Sequence, residues 1–296
     1  MSIKNWLIKN SSSLKGKTVA ITGSTGGLGK ELCNYLSSLG ASLILVNRSL
    51  SRSELQKAEL ENKHGASVKI LTADLESMES VSKVTAELIK AEPDIFIHNA
   101  GAYSIPRHKC GTGFDNVFQI NFLSPYYIIK QLLPTLRKKN GRVIAVGSIA
   151  HNYSKTDEND VDFSTRKASS KVYGNAKRYL MFALHSLFES ENETTLSIVH
   201  PGITFTNITA HYPPLVFAII KHPMKVIFMR PKKAALCILY GVFQSTEKNT
   251  WIGPNLFGIW GYPKKSCLKT CKEAEQARIS DIAEKAYLSI SSVDIS

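Results

Sequence analysis

KTVAITGSTGGLG, from Lys17 to Gly29, is the stretch whose reading decides the fold. Thr18 to Thr22 is a short apolar run rich in β-branched residues, the composition of a strand buried on both faces. It breaks into Gly23, Gly26, Gly27 and Gly29, and Lys30 to Leu36 then sets Leu32, Tyr35 and Leu36 on one side of a helix. Strand, glycine turn and helix together aim backbone N–H groups and a helix N-terminus at a phosphate. Gly23, Gly27 and Gly29 leave room where a Cβ would collide, and Ser24, Thr25 and Leu28 complete the cradle. Taken alone, the turn reads equally as a tight loop that needs positive φ. The rest of the chain decides between the two.

Outward from this stretch the chain alternates. Ser42–Val46, Val68–Thr72, Asp94–His98, Arg142–Gly147 and Thr195–Val199 read as further buried strands. Helical periodicity runs over Arg52–Lys63, Met78–Glu92, Thr112–Lys139 and a helix beginning near Tyr173, and Met1–Gly16 reads as a short helix with a Ser-rich connector. Six strands alternating with helices, with no hairpin signal, call for parallel pairing through right-handed crossovers. The expected fold class is α/β, a doubly wound Rossmann-type parallel sheet with helices on both faces. No Gly/Pro/Ser-rich linker or internal repeat divides residues 1–296, so a single domain is expected. An insertion at about 204–230 interrupts the rhythm over the C-terminal edge of the sheet, where such folds bind ligands.

Composition narrows the function classes. Hydrophobic residues at 43% and charged residues at 21% describe a globular chain, not a disordered one. The net charge of +13 suits an anionic ligand, nucleic acid or an acidic membrane surface. The basic residues are scattered and no basic helix carries interleaved aromatics, which argues against nucleic acid. Cysteines at 33, 110, 237, 267 and 271 form no disulfide pattern, and their odd number points to a reducing compartment. Cys267 and Cys271 lack a second ligand pair, and His151, His200, His211 and His222 show no ligand spacing, so no metal is expected. The Asn-x-Ser/Thr sequences at Asn192 and Asn207 carry no information without secretion. Trp6–Ile8 is too short an apolar patch for a signal peptide and no run reaches membrane-spanning length, so the expected location is cytoplasmic.

The polar residues at strand ends carry the chemistry. Asp74, Asn99, Ser148, Pro201 and Gly202 all fall where an open parallel sheet lines one crevice. Tyr173 and Lys177 are four apart and share one helix face. A phenol has an ordinary pKa of about 10, too high for general-base work at neutral pH, and a neighbouring ammonium favours the phenolate. Lys177 is therefore expected to lower the pKa of Tyr173, while Ser148 hydrogen-bonds a carbonyl and Tyr173 moves the proton. That is machinery for hydride transfer between a nicotinamide and a carbonyl or alcohol. Tyr126 and Lys130 repeat the spacing. They lie mid-helix among apolar neighbours, so Tyr126 reads as packing and Lys130 as its exposed neighbour.

At this point the sequence resembles the short-chain dehydrogenases/reductases. Thr22, Gly23, Gly27 and Gly29 match that family's cofactor motif. Asn99-Ala100-Gly101 matches its Asn-Asn-Ala-Gly element, with His98 in place of the first Asn. Asn121, Ser148, Tyr173 and Lys177 fall where the family has its catalytic tetrad. Pro201, Gly202 and Thr206 match its Pro-Gly-x-x-x-Thr element, with Thr204 between them. The resemblance implies that Asp74, beside Leu75, contacts the adenine; the alternative role for Asp74 is capping the next helix. It also implies that Lys177 holds the nicotinamide ribose, and that Asn121 holds helix geometry and a water connected to Lys177. The long spacing between Ser148 and Tyr173, the segment Ser148–His151 and the amphipathic stretch Ala283–Leu288 resemble the retinol dehydrogenase-type branch, which implies a lipophilic alcohol or aldehyde substrate.

Two readings concern specificity. NAD-binding sites place an acidic residue at the end of the second strand to hold the ribose 2′-OH. Here that place holds Asn47 and Arg48, and a guanidinium grips a 2′-phosphate, so NADP(H) is favoured over NAD(H). The apolar, basic-flanked stretch 213–229 reads as a substrate lid, a peripheral membrane contact or a homodimer surface. The alternative to an enzyme is a non-catalytic NADP(H)-sensing protein on the same fold, which the intact Ser, Tyr and Lys argue against. An epimerase or dehydratase would need a sugar-nucleotide domain that this C-terminus is too short to supply.

Overall fold

Val19, Ala20 and Ile21 of β1 (Thr18–Thr22) have no exposed surface, because helices cover both sides of the sheet that β1 centres. The computed structural model describes residues 1–204, 228–247, 249–268, 270 and 272–291. Thr206 and nearly all of 213–229, the stretch read as lid, membrane contact or dimer surface, lie outside the described residues.

Seven further strands follow: β2 (Ser42–Asn47), β3 (Val68–Thr72), β4 (Ile95–His98), β5 (Arg142–Val146), β6 (Thr195–Val199), β7 (Thr250–Leu256) and β8 (Trp260–Cys267). They lie in the order β3-β2-β1-β4-β5-β6-β7-β8. All neighbours pair in parallel except β7 and β8. The order reverses direction at β1, so the crevice between the ends of β1 and β4 is the topological switch point where such sheets bind ligands.

One apolar layer packs beneath α2 (Gly27–Ser38), α3 (Leu50–His64) and α8 (Pro231–Phe243), with Trp6 of α1 (Ile3–Asn10) at its rim. The opposite layer packs beneath α4 (Met78–Ala91), α6 (Ser124–Arg137), α7 (Ser169–Leu187) and α9 (Glu273–Ser291). Helices on both faces of a mostly parallel sheet are the doubly wound arrangement that the strand-and-helix alternation predicts.

Three expectations need correction. The helix expected from Thr112 begins only at Asn116: Gly113 has φ of +82°, and the Asp115 carboxylate caps α5 (Asn116–Phe118) by accepting from the Val117 N–H. That helix passes through a π-helical turn, Gln119–Leu123, into α6. The helix bearing Tyr173 starts a turn earlier, at Ser169. The sheet also gains the hairpin β7–β8, whose turn takes positive φ at both Phe257 and Gly258. Its outer strand is polar and exposed, with Lys264 and Lys265, so it lacks the apolar run that marks the buried strands.

Candidate active site

The floor of the site is the glycine turn. Gly23 has φ of +68°, and a Cβ there would stand 2.8 Å from the Ala100 Cα. A Cβ on Gly29 would stand 2.3 Å from the Gly23 carbonyl oxygen. Gly26 caps α2 with no side-chain hydrogen bond, which leaves the first amides of that helix for a ligand.

The ends of β1 and β4 are tied together beside this turn. The Thr22 hydroxyl accepts from the N–H groups of Asn99 and Ala100, both at 3.1 Å. Asn99 Nδ2 donates to the carbonyls of Thr22 and Gly23 at 3.2 and 2.8 Å. With its lone pairs so used, the Thr22 hydroxyl gives its proton to His98 Nδ1, 3.1 Å away. His98 is fully buried, and burial, reinforced by the Lys177 charge, holds its pKa well below the ordinary value, so the ring is neutral. The residue that departs from the family motif is thus a hydrogen-bond acceptor for the strand it replaces Asn beside.

A cavity of about 470 Å³ opens above the turn. Gly23, Thr25, Gly27, Leu28 and Gly29 line one side, Asn47 and Arg48 a second, and Asp74, Leu75, Asn99, Ala100 and Gly101 a third. Ser24 is different: its Oγ donates to Gln56 Oε1 at 2.8 Å and accepts from Asn47 Nδ2 at 2.8 Å, so its side chain braces the turn from behind. Asp74 does not cap α4. Ser77 does, and Asp74 instead accepts from the Glu76 N–H at 3.0 Å. Arg52 also lines the cavity, and neither it nor Arg48 has an ion-pair partner among the described residues. Arg52 escaped the sequence reading although it stands four residues after Arg48, in the first turn of α3. A glycine floor, a free helix N-terminus and two guanidinium groups fit a phosphate-bearing dinucleotide.

The reacting end lies next to this cavity. Ser148 lies two residues past β5, and its Oγ accepts from the Ala150 N–H at 3.2 Å while the residue also hydrogen-bonds Tyr173. The Tyr173 ring meets Tyr103 edge-on with centroids 5.3 Å apart. Lys177 Nζ is 5.7 Å from the Tyr173 ring centroid and donates to the Val146 carbonyl at 2.9 Å. Asn121, in the π-helical turn, donates to the carbonyls of Ala102 and Val117 at 2.8 Å each and accepts from the Ala102 N–H. It therefore holds the chain just beyond Gly101. The π turn is what aims Asn121 there.

The expected lowering of the Tyr173 pKa by Lys177 is not found. Burial raises the phenol to about 12, with Tyr103 adding to the rise and the Ser148 hydrogen bond opposing it. Burial also pulls Lys177 down to about 7, so its ammonium is a weak source of field at neutral pH. Two residues to which the sequence assigned no role in the site support it. Tyr103 walls Tyr173, and His151 donates from Nδ1 to the Ser148 carbonyl at 2.6 Å. Pro201 and Gly202 follow β6 and are buried; Gly202 has φ of +82°, and a Cβ on it would lie 2.6 Å from the Ile259 carbonyl of the β7–β8 turn. Thr204 bridges to Met229. These three do not line the cavity.

The repeated pair is a core element. Tyr126 is buried, and burial with Glu284 and Tyr287 raises its pKa. Lys130 is not an exposed neighbour: it pairs with Glu284 and stands 4.2 Å over the Tyr287 ring.

Comparison with known proteins agrees with this fold. Human retinol dehydrogenase 13 is 28% identical over 208 residues, 67% of this chain and 62% of that protein, so the match spans under two thirds of the relative's length. An uncharacterized protein from Mycobacterium paratuberculosis superposes with a TM-score of 0.76 at 22% identity, covering 94% of this chain and 96% of that one. A short-chain dehydrogenase from Sphingobium yanoikuyae in complex with NADPH gives 0.55 at 24% identity, covering 66% and 73%. At these identities the two structures speak for the fold alone. The family model for short chain dehydrogenases matches residues 17–214, and the chain belongs to that family of oxidoreductases.

Proposed function

We propose that the protein is an NADP(H)-dependent oxidoreductase that interconverts a lipophilic ketone or aldehyde and its alcohol. The observation that carries this reading is the meeting of Ser148, Tyr173, Lys177 and Asn121 beside a glycine-floored cavity. When bound, the nicotinamide supplies the hydride to a carbonyl carbon or accepts it from the alcohol.

The chain's own residues handle the oxygen. The Ser148 hydroxyl donates to the carbonyl oxygen and polarises it. The Tyr173 phenol, held protonated at neutral pH by its burial, delivers its proton as negative charge develops on that oxygen. Lys177 in its charged form stabilises the tyrosinate left behind, and Asn121 keeps the loop after Gly101 in register. Arg48 and Arg52 support NADP(H), since both border the cavity and no carboxylate ends β2 to repel a 2′-phosphate. The name of the human relative supports a lipophilic substrate, as do Ile105 and Ile120 along the cavity.

The test is NADPH consumption across ketones, aldehydes and steroids, with two variants. Tyr173→Phe should lower turnover by roughly 10²–10⁴-fold and leave NADPH binding unchanged, because only the proton donor is removed. Tyr126→Phe should keep its activity. Tyr173→Phe activity within about threefold of wild type would sink the assignment, that being far below a general acid's contribution.

A further inference from the structure

We propose that Glu76, His108 and Cys110 form a binding site for a divalent transition-metal ion of the zinc class, placed outside the wall of the dinucleotide cavity. One ligand atom from each residue lies within 4.8 Å of the other two. The Glu76 carboxylate and His108 Nε2 are already 3.0 Å apart. Carboxylate, imidazole and thiol make a mixed O, N, S donor set, which suits zinc or cobalt, whereas magnesium and calcium take oxygen alone. Three protein ligands leave the fourth tetrahedral position to water.

Two loops built for other reasons hold these groups. Glu76 follows Asp74 and Leu75 of the cavity wall, with its N–H fixed by the Asp74 carboxylate and its carbonyl accepting from Gln119 Nε2. His108 and Cys110 sit on a tight loop closed by the Lys109–Asp115 bridge and by the Cys110 N–H donating to the Phe114 carbonyl at 2.8 Å. Asp74 and Asp115 add negative field at the thiol, although Asp115 is also paired with Arg107 at 2.9 Å. His108 is exposed, so an ion reaches the cluster from solvent.

The other ring nitrogen of His108 faces the Asn116 amide, with Nδ2 at 3.2 Å. Ligation through Nε2 moves the ring proton to Nδ1, which calls for the amide oxygen in that place. Loading therefore turns Asn116 over, at the loss of its 3.0 Å bond to the Pro106 carbonyl. Without a metal, the His108 Nε2–H donates to the Glu76 carboxylate and its Nδ1 accepts from the Asn116 amide. Linear spacing cannot reveal this cluster, because it joins the segment after β3 to a loop after β4.

The full chain, chelated and then titrated with Co²⁺, separates these readings without any need for turnover. One equivalent per chain should bind with a thiolate-to-cobalt charge-transfer band. Cys110→Ser should abolish that band, His108→Ala should weaken binding by more than about tenfold, and Cys267→Ser should change neither. Far-UV circular dichroism checks that each variant is folded. Binding well below one equivalent, a band that survives Cys110→Ser, or a band lost in Cys267→Ser would each overturn the site.

Discussion

Lys177 is 1% exposed, and among the described residues its charge has only the Val146 carbonyl for hydrogen-bonding company. Burial drops its pKa from 10.5 to about 7. Between those values the unfolded chain binds the proton and the folded one does not, so stability rises with pH across that window. The desolvation cost is fully present below about pH 7 and gone above the unfolded value. Lys177→Met should therefore raise the melting temperature by a few degrees at neutral pH while abolishing turnover, with the gain shrinking as pH climbs toward 10.5. A gain that persists unchanged into alkaline solution would mean that packing, not charge burial, was its source. The same residue shows the reach of sequence reasoning. Its spacing from Tyr173 was legible, but Tyr126 and Lys130 share that spacing and lie in a packed core against Tyr287 and Glu284. Helical spacing states which side chains share a face, and only the packed molecule states what that face meets.

At the scale of elements, the proposed preference for NADP(H) rests on the end of β2. Arg48 and Arg52 stand on either side of the α3 cap Ser49, both on the cavity. A charge-assisted pair to a 2′-phosphate contributes on the order of 1.5–3 kcal/mol, roughly tenfold to hundredfold in affinity. Arg48→Ala should weaken NADPH by about that factor and leave NADH nearly unchanged, and Arg48→Asp should reverse the preference. Fluorescence titration of both cofactors measures this, and an unaltered NADPH affinity in Arg48→Ala would place the ribose elsewhere. The strand-turn-helix unit itself was readable because each of its parts is local: β-branched run, glycines, amphipathic helix. The π turn at Gln119–Leu123 was not readable, since the sequence there keeps helical periodicity and the extra residue is accommodated by what Asn121 bonds to.

Across the whole molecule, helix α9 is tied to the rim of the candidate site. Arg178 Nε donates to Glu275 Oε1 at 2.7 Å, its Nη2 reaches Glu275 Oε2 and the Thr270 carbonyl, and its Nη1 reaches the His151 carbonyl at 3.3 Å. His151 in turn holds the Ser148 carbonyl and Thr270. Burial would raise the Glu275 carboxyl, but Arg178 and Thr156 outweigh it and bring the pKa down to about 2. A carboxylate depressed from 4.5 contributes stability above that value and loses it as pH falls toward about 2. Arg178→Met strands Glu275 half-enclosed and should cost about 3–5 kcal/mol in denaturant unfolding at neutral pH. It should also flatten the loss of stability between those two pH values. A cost below about 1 kcal/mol, the range of an exposed pair, would mean that the C-terminal helix is not anchored through this contact.

The sequence by itself determined the alternation of six strands and their helices, the glycine cradle, and the candidates Ser148, Tyr173 and Lys177. Those readings rest on interactions between near neighbours along the chain, and periodicity and glycine placement report them directly. Tertiary structure alone decided the direction of the Tyr173 pKa, because desolvation depends on what every other segment places around a phenol. It alone brought Arg52 to the cavity, turned Ser24 behind the cradle, and joined Glu76 to His108 and Cys110. It also paired β7 with β8, since an exposed polar edge strand is held by its partner's backbone and needs no apolar pattern of its own.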